Sequence, residues 1–253
     1  MIKFVRYSIE NSLPQWGIIN IDGNITDIEG DIYTQYKVMP NVINSSRVKI
    51  LPPTNPSKII CVGLNYNDHA KEMNMDKPGE PVIFLKPPSA VIGHNDEIIY
   101  PDMANRVDYE AELAIVIKNT VKDISEEEVE INILGYTCLN DVTARELQKI
   151  DGQWTRAKSF DTFAPFGPYI VTNINPDKQD IKLYLNGVLK QDSNTSKFIF
   201  KTKKLVSFIS KIMTLNRGDI ISTGTPAGVG PMSRGDKVEV EIGEIGRLTN
   251  FVR

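Results

Sequence analysis

The sequence is poor in the residue types that many functional sites require. Its 253 residues include two cysteines and two histidines, and its net charge is −3 with no long run of one sign. Cys61 and Cys138 both lie inside apolar runs, so we expect buried, reduced thiols rather than a disulfide. The charge balance argues against a basic surface for nucleic acid.

Long apolar segments are also missing. No stretch approaches the roughly 20 apolar residues that span a bilayer. Lys3 and Arg6 interrupt the apolar residues at the amino terminus, so no signal peptide is predicted. The GxGxxG, GK[ST] and GxSxG patterns of nucleotide sites and serine hydrolases are absent as well. We therefore expect a cytoplasmic protein that binds neither membranes nor nucleic acids.

Strand-like runs occur along the whole chain, in two blocks. Residues 1–50 contain short runs around an Asp-Gly turn, which predict a small β-rich amino-terminal domain. A proline-rich linker at 51–56 follows. Residues 55–253 would then form the larger, catalytic domain. Asn186-Gly187 predicts a two-residue hairpin within it.

Helical patterns are fewer than strand patterns. Ser125 and Glu128 form a capping-box pattern that predicts a short helix. A second helix is predicted over 141–150 and a third over 202–215, where apolar residues recur at helical spacing. Many strands with a few scattered helices indicate an α+β fold built on a large sheet or a pair of sheets.

The most informative segment, residues 108–118, reads DYEAELAIVIK. Alternate residues of a strand share a face, so Glu110 and Glu112 would point to the same side. Beyond Glu112 both faces are apolar, which places the pair beside a buried layer. Repulsion and desolvation then require a raised pKa, basic partners or a metal ion. The alternative is a wet strand end, where the two glutamates pair with lysines.

Asp141 supplies a third carboxylate where an apolar run leads into VTARELQKI. It could simply cap the predicted helix. If it lies in the first turn, Asp141, Arg145 and Gln148 share one helical face. An acid, a guanidinium and an amide together suit an anionic ligand beside a cation. Three carboxylates without thiolates favour a hard ion such as Mg²⁺ or Mn²⁺ over zinc.

Further candidates for chemistry lie elsewhere in the chain. His69 and Glu72 are three residues apart, so in a helix the carboxylate could orient the imidazole as a general base. The surrounding segment, 64–80, could form a lid. Lys158 lies among bulky residues, where partial burial is expected. Thr225, in the glycine-rich stretch 222–230, could offer its hydroxyl to a carboxylate. An incidental surface histidine and a solvated lysine are the simpler alternatives.

Six segments in order resemble the fumarylacetoacetate hydrolase family: GLNYNDHAKE, VDYEAELAIVI, GYTCLNDVTARELQ, QWTRAKSFDTFAPFGPYI, NGVLKQ and TLNRGDIISTGTPAGVG. The resemblance covers about residues 55–253 and implies a mixed β-roll or β-sandwich fold, usually as a homodimer. It implies Mg²⁺ or Mn²⁺ on Glu110, Glu112 and Asp141, and a His69–Glu72 dyad on a mobile lid. By the same resemblance, the active site would include Lys158, and the substrate would be held by Arg145, Gln148 and Thr225.

The resemblance leaves several reactions open. The expected one is hydrolysis of a C–C bond in an acylpyruvate-like 2,4-dioxo acid through a metal-stabilised enolate. Isomerisation or decarboxylation of hydroxymuconate-type intermediates of aromatic catabolism, and decarboxylation of oxaloacetate, pass through the same kind of enolate. A non-catalytic protein that binds a metal and a small 2-oxo acid is the remaining alternative.

Overall fold

Strands dominate the structure, a computed structural model that describes residues 1–10, 12–68 and 76–253. In these ranges the predicted α+β class is confirmed, with many strands and a few short helices. The strands are, in chain order, β1 (Lys3–Ser8), β2 (Gln15–Ile19), β3 (Ile25–Gly30), β4 (Tyr36–Ile43), β5 (Lys49–Ile50), β6 (Ile59–Gly63), β7 (Val82–Lys86), β8 (Val91–Ile92), β9 (Glu97–Ile98), β10 (Val107–Tyr109), β11 (Ala111–Ile117), β12 (Ile133–Asn140), β13 (Thr143–Ala144), β14 (Ala164–Val171), β15 (Asp180–Leu185), β16 (Val188–Asn194), β17 (Ile220–Ser222), β18 (Gly230–Met232), β19 (Lys237–Ile242) and β20 (Gly246–Val252).

The described strands form three sheets. The largest has twelve strands, ten of them in the order β4-β3-β2-β1-β14-β12-β11-β17-β6-β7, while β5 pairs with β1 and β8 with β14. A five-stranded sheet has the order β16-β15-β19-β20-β9, and a three-stranded sheet the order β13-β10-β18. A core cluster joins side chains of the large and five-stranded sheets, among them Leu113, Cys138, Leu183 and Val240. Packing of sheet on sheet in this way agrees with the predicted sandwich-like fold.

The amino-terminal strands belong to the large sheet. β1 runs antiparallel to β14, with Lys3 opposite Val171 and Val5 opposite Tyr169. Phe4 lies in the same core cluster as Phe166 and Ile170 of β14. These contacts connect the first 50 residues to the rest of the sheet. Their separation as a domain at the proline-rich linker stays a prediction.

Three α-helices lie in the described part of the chain: α1 (Arg145–Asp151), α2 (Thr155–Lys158) and α3 (Thr202–Ile212). The predicted third helix is confirmed over the length of α3, whose buried Leu205 and Ile209 pack with Ile60 and Ile115 of the large sheet. No helix in the described ranges has the length and apolar character needed to cross a membrane.

One helix prediction is confirmed only in part, and another was wrong. The helix predicted over 141–150 begins only at Arg145, because Thr143 and Ala144 pair with β10 as strand β13. No α-helix forms at Ser125 and Glu128, although the Ser125 N–H donates to Glu128 Oε2 at 2.8 Å as in a capping box. The local hydrogen bond there closes a turn, and the chain continues only as a short 3-10 helix at Glu130–Asn132 before β12 begins.

The hairpin predicted at Asn186-Gly187 is confirmed between β15 and β16. Both turn residues have positive φ, 51° for Asn186 and 79° for Gly187, as a type I′ turn requires. The hairpin brings the end of β16 back along the sheet, so that Gln191 lies fully buried next to β11.

The strand predicted over 108–118 is interrupted at Glu110. β10 ends at Tyr109 in the three-stranded sheet, and β11 begins at Ala111 in the large sheet. The Glu110 N–H donates to Asn140 Oδ1 at 2.9 Å, and the Glu110 carbonyl accepts from the Asp141 N–H at 2.9 Å. At the interruption these two hydrogen bonds replace the backbone hydrogen bonds between strands, and the side chain of Glu110 changes direction there.

We predict that Gly135→Ala destabilises the large sheet. A Cβ on Gly135 would lie 2.6 Å from the Val171 carbonyl oxygen and 2.8 Å from Ile170 Cγ2, so β12 and β14 would have to separate. The expected loss is about 1–3 kcal/mol in the free energy of unfolding, measured in urea. Gly79→Ala is the control, because a Cβ there meets no atom within 4 Å. Equal midpoints for the two variants would contradict the prediction.

Candidate metal centre and active site

Three buried carboxylates lie close together where the chain passes, at Glu110, from the three-stranded sheet to the large sheet. Glu110, Glu112 and Asp141 each offer an oxygen within 4.8 Å of the others. They are exposed by only 5%, 1% and 1%. Glu110 and Asp141 are fixed by the backbone hydrogen bond between them, and Glu112 follows two residues later on β11. Side chains from the link between β10 and β11, from β11 itself and from the loop after β12 therefore converge on one point.

Glu112 is the carboxylate with the least electrostatic compensation. Ser222 Oγ donates to its Oε2, as does the Gly224 N–H at 2.8 Å. Within the described ranges no lysine or arginine forms an ion pair with it. Burial raises the pKa of Glu112 well above its ordinary value, and the nearby charges of Asp141 and Glu110 raise it further. The centre thus lacks positive charge on the Glu112 side.

Two buried lysines hold the other two acids. Lys158 Nζ donates to Glu110 Oε2 at 2.8 Å and to Asp141 Oδ2 at 2.6 Å. Lys86 donates to Asp141 Oδ1 and, at 3.0 Å, to the Val142 carbonyl. Burial alone lowers the pKa of Lys158, but the carboxylates of Asp141 and Glu110 outweigh it and the net pKa is raised. Lys158 is therefore charged, and its charge favours the ionised form of Glu110.

Arg145 borders the carboxylate cluster next to Glu110. Its guanidinium donates to Glu110, to Asp108 Oδ2 at 2.9 Å and to Gln148 Oε1 at 2.6 Å. Burial raises the pKa of Glu110, but Lys158 and Arg145 more than offset this and lower it to about 2. Asp108 is also bound by Arg106, at 2.7 and 3.1 Å.

Arg145 and Gln148 share one face of α1, as predicted. Asp141 is not on that face, because it precedes the helix, and it reaches the site through the loop between β12 and β13. The prediction of one helical face with three members was therefore wrong, although the three side chains do line the same cavity.

A cavity of about 220 Å³ opens beside the carboxylates. Its polar wall includes every predicted metal and substrate residue together with Lys158. The residues of this wall are Glu110, Glu112, Asp141, Arg145, Gln148, Lys149, Lys158 and Thr225. His69 and Glu72, the predicted dyad, lie outside the described residues, as does most of the central part of the predicted lid. The cavity is small enough to favour a compact ligand.

The opposite wall of the cavity is apolar, with Val62, Leu64, Phe84 and Trp154. The rings of Phe84 and Trp154 pack edge to face, with centroids 5.2 Å apart. Lys158 Nζ lies 5.0 Å from the Phe84 ring centroid, in cation–π range. A Cβ on Gly63 would come within 2.9 Å of the Trp154 ring, so glycine allows that ring to pack against the cavity.

Several functional side chains were missed in the sequence. Lys86 ends the apolar strand VIFLK, and a lysine at the buried end of such a run is the signal that could have identified it. Asp108 lies two residues before Glu110 and was interpreted only as the start of the strand. Ser222 and Gly224 support Glu112 from the stretch that was searched for substrate contacts alone.

The composition of the centre fits a divalent cation. Every candidate ligand is a carboxylate oxygen, which suits hard ions. The described residues at the centre and its border balance in charge, four carboxylates (Asp108, Glu110, Glu112, Asp141) against four cations (Lys86, Arg106, Arg145, Lys158). A divalent ion would supply the positive charge that Glu112 lacks. It would also make the site attractive to a doubly negative ligand.

The family model for the fumarylacetoacetate hydrolase C-terminal region matches residues 58–253. The chain therefore belongs to the fumarylacetoacetate hydrolase family.

Relatives within this family carry different activities in their names. A mitochondrial oxaloacetate tautomerase of Xenopus laevis is 44% identical over 225 residues, 84% of this chain and 70% of that protein. The 2-hydroxyhepta-2,4-diene-1,7-dioate isomerase of Mycobacterium marinum is 41% identical, with a TM-score of 0.92 over 100% of this chain and 98% of its own. The maleylpyruvate hydrolase of Sphingobium sp. SYK-6, solved with manganese(II) and pyruvate, is 28% identical, with a TM-score of 0.83 over 99% and 98%. These names support an enzyme.

We predict that Glu112→Gln abolishes stabilisation by Mn²⁺. The wild type should gain roughly 5 °C or more in Tm at saturating Mn²⁺, because an ion that binds only the folded state stabilises it. The variant should gain less than about 1 °C. Without metal its Tm should equal or exceed that of the wild type, because a buried carboxylate without an ion pair has been removed.

Glu239→Gln is the matched control for this thermal-shift measurement. Glu239 is also a buried glutamate on a strand, but it pairs with Lys237 at 3.0 Å and Arg247 at 3.5 Å, away from the cavity. This variant should keep the Mn²⁺ shift of the wild type. A full shift in Glu112→Gln would show that the ion binds elsewhere.

Proposed function

We propose that this protein is a divalent-metal-dependent enzyme that converts a small 2-oxo acid through its enolate, and that the reaction is a keto–enol or double-bond isomerisation. The observation that carries the proposal is the cluster of three buried carboxylates, of which Glu112 has no cationic partner among the described residues. Such a cluster is costly in an isolated protein and becomes favourable when a cation is bound.

We assign Mg²⁺ or Mn²⁺ to Glu110, Glu112 and Asp141. The oxygen-only ligand set supports this choice. The manganese(II) bound to the related maleylpyruvate hydrolase supports it as well. When bound, the ion would act as a Lewis acid that stabilises negative charge on the 2-oxo group.

Arg145, Gln148 and Thr225 would bind and orient the substrate carboxylate. The described contacts use three of the five N–H groups that a guanidinium carries, which leaves donors for an anion. Gln148 accepts from Arg145 through Oε1, so its amide NH₂ can donate to the same ligand. Orientation by several fixed donors lowers the entropic part of the barrier.

Lys158 would stabilise the enolate or return a proton to it. Two of its three N–H groups go to Glu110 and Asp141, and the third can serve a ligand in the cavity. We retain His69, oriented by Glu72, as the proposed base that removes the proton next to the 2-oxo group. In the sequence, His69 directly follows Asp68, the last described residue of its segment, and Glu72 comes three residues later.

Two relatives named for isomerisation are more similar to this chain than two relatives named for hydrolysis, which supports isomerisation as the first candidate. The tautomerase and the isomerase are 44% and 41% identical to this chain, against 36% for a fumarylacetoacetate hydrolase of Exiguobacterium antarcticum and 28% for the maleylpyruvate hydrolase. Hydrolysis of an acylpyruvate-like 2,4-dioxo acid, the reaction expected from the sequence, is the second candidate. Its support is the likeness to that maleylpyruvate hydrolase over nearly the whole chain, and His69 would then activate water. Both reactions use one enolate-stabilising centre, and decarboxylation of oxaloacetate would use it too.

We predict that a substrate panel with Mg²⁺ will separate these reactions. The enol of oxaloacetate, a hydroxymuconate isomer, acetylpyruvate and fumarylpyruvate are each offered, and products are identified by NMR. We expect the first two to be isomerised without uptake of water or release of CO₂. Glu110→Gln should lower kcat/KM about 100-fold or more, because it removes a metal ligand and a partner of Lys158.

Other outcomes of the panel have clear meanings. Cleavage of acetylpyruvate or fumarylpyruvate alone would replace isomerisation by hydrolysis. Release of CO₂ from oxaloacetate would replace it by decarboxylation. Tight binding of these acids with no turnover would identify a binding protein.

Light scattering on the same preparation tests the homodimer, which remains a prediction from the resemblance.

We also predict that Lys149 favours dicarboxylate substrates. Lys149 is exposed and lines the cavity one residue beyond Gln148, so its charge can meet a second carboxylate at the mouth. Lys149→Gln should raise KM for oxaloacetate roughly threefold to tenfold, because the contact is partly screened by solvent. The inhibition constant of a monocarboxylate competitor such as pyruvate should stay unchanged. Lys122→Gln, an exposed lysine elsewhere, is the control. Equal effects on oxaloacetate and on the monocarboxylate would contradict this role.

A further inference from the structure

Gln191 links the carboxylate strand to the substrate loop. It lies on β16 and is fully buried. Its Oε1 accepts the Ala111 N–H at 2.9 Å, and Ala111 stands between Glu110 and Glu112. Its Nε2 donates to Thr225 Oγ1 at 3.0 Å and to the Pro226 carbonyl at 2.9 Å. The side-chain amide of Gln191 thus bonds through its oxygen to the strand that carries Glu112 and through its nitrogen to the loop that carries Thr225.

These contacts close a ring around Glu112. Glu112 Oε2 accepts from the Gly224 N–H, and the chain continues to Thr225. Thr225 Oγ1 accepts from Gln191, whose Oε1 binds the Ala111 N–H next to Glu112. Because every group in the ring is buried, loss of one link would leave an unpaired polar atom and loosen the rest.

The direction of the hydrogen bond at Thr225 matters for binding. A hydroxyl has one hydrogen to donate. Gln191 offers Thr225 an N–H, so Thr225 Oγ1 accepts there and its own hydrogen stays available. Among the described residues the Thr225 hydroxyl donates to no other group, and Thr225 lines the cavity. Its hydrogen can therefore point to a negatively charged ligand.

We infer that Gln191 is a positioning residue that makes the Thr225 hydroxyl a donor to the substrate carboxylate while it holds Ala111, and with it the two glutamates, in place. This inference deepens the proposed function and rests on it. Gln191 acts through Thr225 and the backbone and touches no ligand itself. Gln191 ends the segment NGVLKQ, for which the sequence predicted a hairpin turn but no part in the site.

The test replaces Gln191 by a residue that keeps only one of the two links. In Gln191→Glu, a carboxyl group of nearly the same shape can accept the Ala111 N–H, and the single hydrogen that it carries when protonated would go to the Pro226 carbonyl, so none is offered to Thr225. The Thr225 hydroxyl would then donate to the new carboxyl group and be lost to the ligand. The probe is oxalate, whose adjacent carboxylate oxygens resemble those of a 2-oxo acid enolate. Its Kd is measured calorimetrically at saturating Mn²⁺, and the Kd of Mn²⁺ is measured separately without oxalate.

We expect Gln191→Glu to weaken oxalate binding about tenfold or more, with the Kd of Mn²⁺ changed less than about threefold. Thr225→Val should weaken oxalate to a similar extent. The double variant should be no weaker than either single one, because both remove the same hydrogen bond. Wild-type affinity for oxalate in Gln191→Glu, or additive losses in the double variant, would overturn the inference.

Two further variants keep the outcome unambiguous. Gln179→Met is the matched control, because Gln179 is also buried and bonded at both ends, to Asn175 and Glu244, away from the cavity. It should bind oxalate and Mn²⁺ like the wild type. Gln191→Met replaces the glutamate variant if that one does not fold, and it should weaken both ligands. Full oxalate affinity in Gln191→Met would overturn the inference. A wild type that binds neither Mn²⁺ nor oxalate would instead contradict the proposed function.

Discussion

Carboxylates repel one another most strongly where water cannot reach them, and here three lie within 4.8 Å at the junction of two sheets. Much of the surrounding structure compensates for this repulsion. Lys158 and Lys86, both buried, bind Glu110 and Asp141 from two directions. The Ser222 hydroxyl, at the end of β17, and the Gly224 N–H, just after it, donate to Glu112. The remaining lack of positive charge at Glu112 is the reason to place a divalent ion there.

The fold makes this arrangement possible by interrupting a strand. A continuous strand over 108–118 would keep all its backbone groups in one ladder and leave no room for Asp141 beside Glu110. The interruption transfers the chain from the three-stranded sheet to the large one, and the loop after β12 fills the gap. The rigidity of the sheets on both sides then fixes the carboxylates, which a preorganised site requires. The apolar wall with Phe84 and Trp154 completes a small cavity with one charged face and one apolar face.

Local patterns predicted much of this and failed where tertiary contacts decide. Alternation on the strand identified Glu110 and Glu112, and Asn186-Gly187 identified its hairpin, because both signals are contained in a few neighbouring residues. The start of α1 was missed because Thr143 and Ala144 pair with residues 35 and 37 positions earlier, which helical spacing cannot reveal. Lys86 and Gln191 were missed for the same reason, since their partners lie 55 and 80 residues away. Lys158 and Thr225 were candidates from their local sequence, and the motif resemblance assigned them to the predicted active site; both line the cavity.

Anomalous diffraction from crystals grown with Mn²⁺ and oxalate tests the central claim most directly. The account predicts one strong manganese peak, with an oxygen of Glu110, Glu112 and Asp141 about 2.0–2.3 Å from it, and oxalate on the same ion facing Arg145 and Thr225. A cluster without manganese while the ion binds elsewhere in the crystal would contradict it. So would an undisturbed pair of Lys158 contacts to Glu110 and Asp141 with no ion beside Glu112.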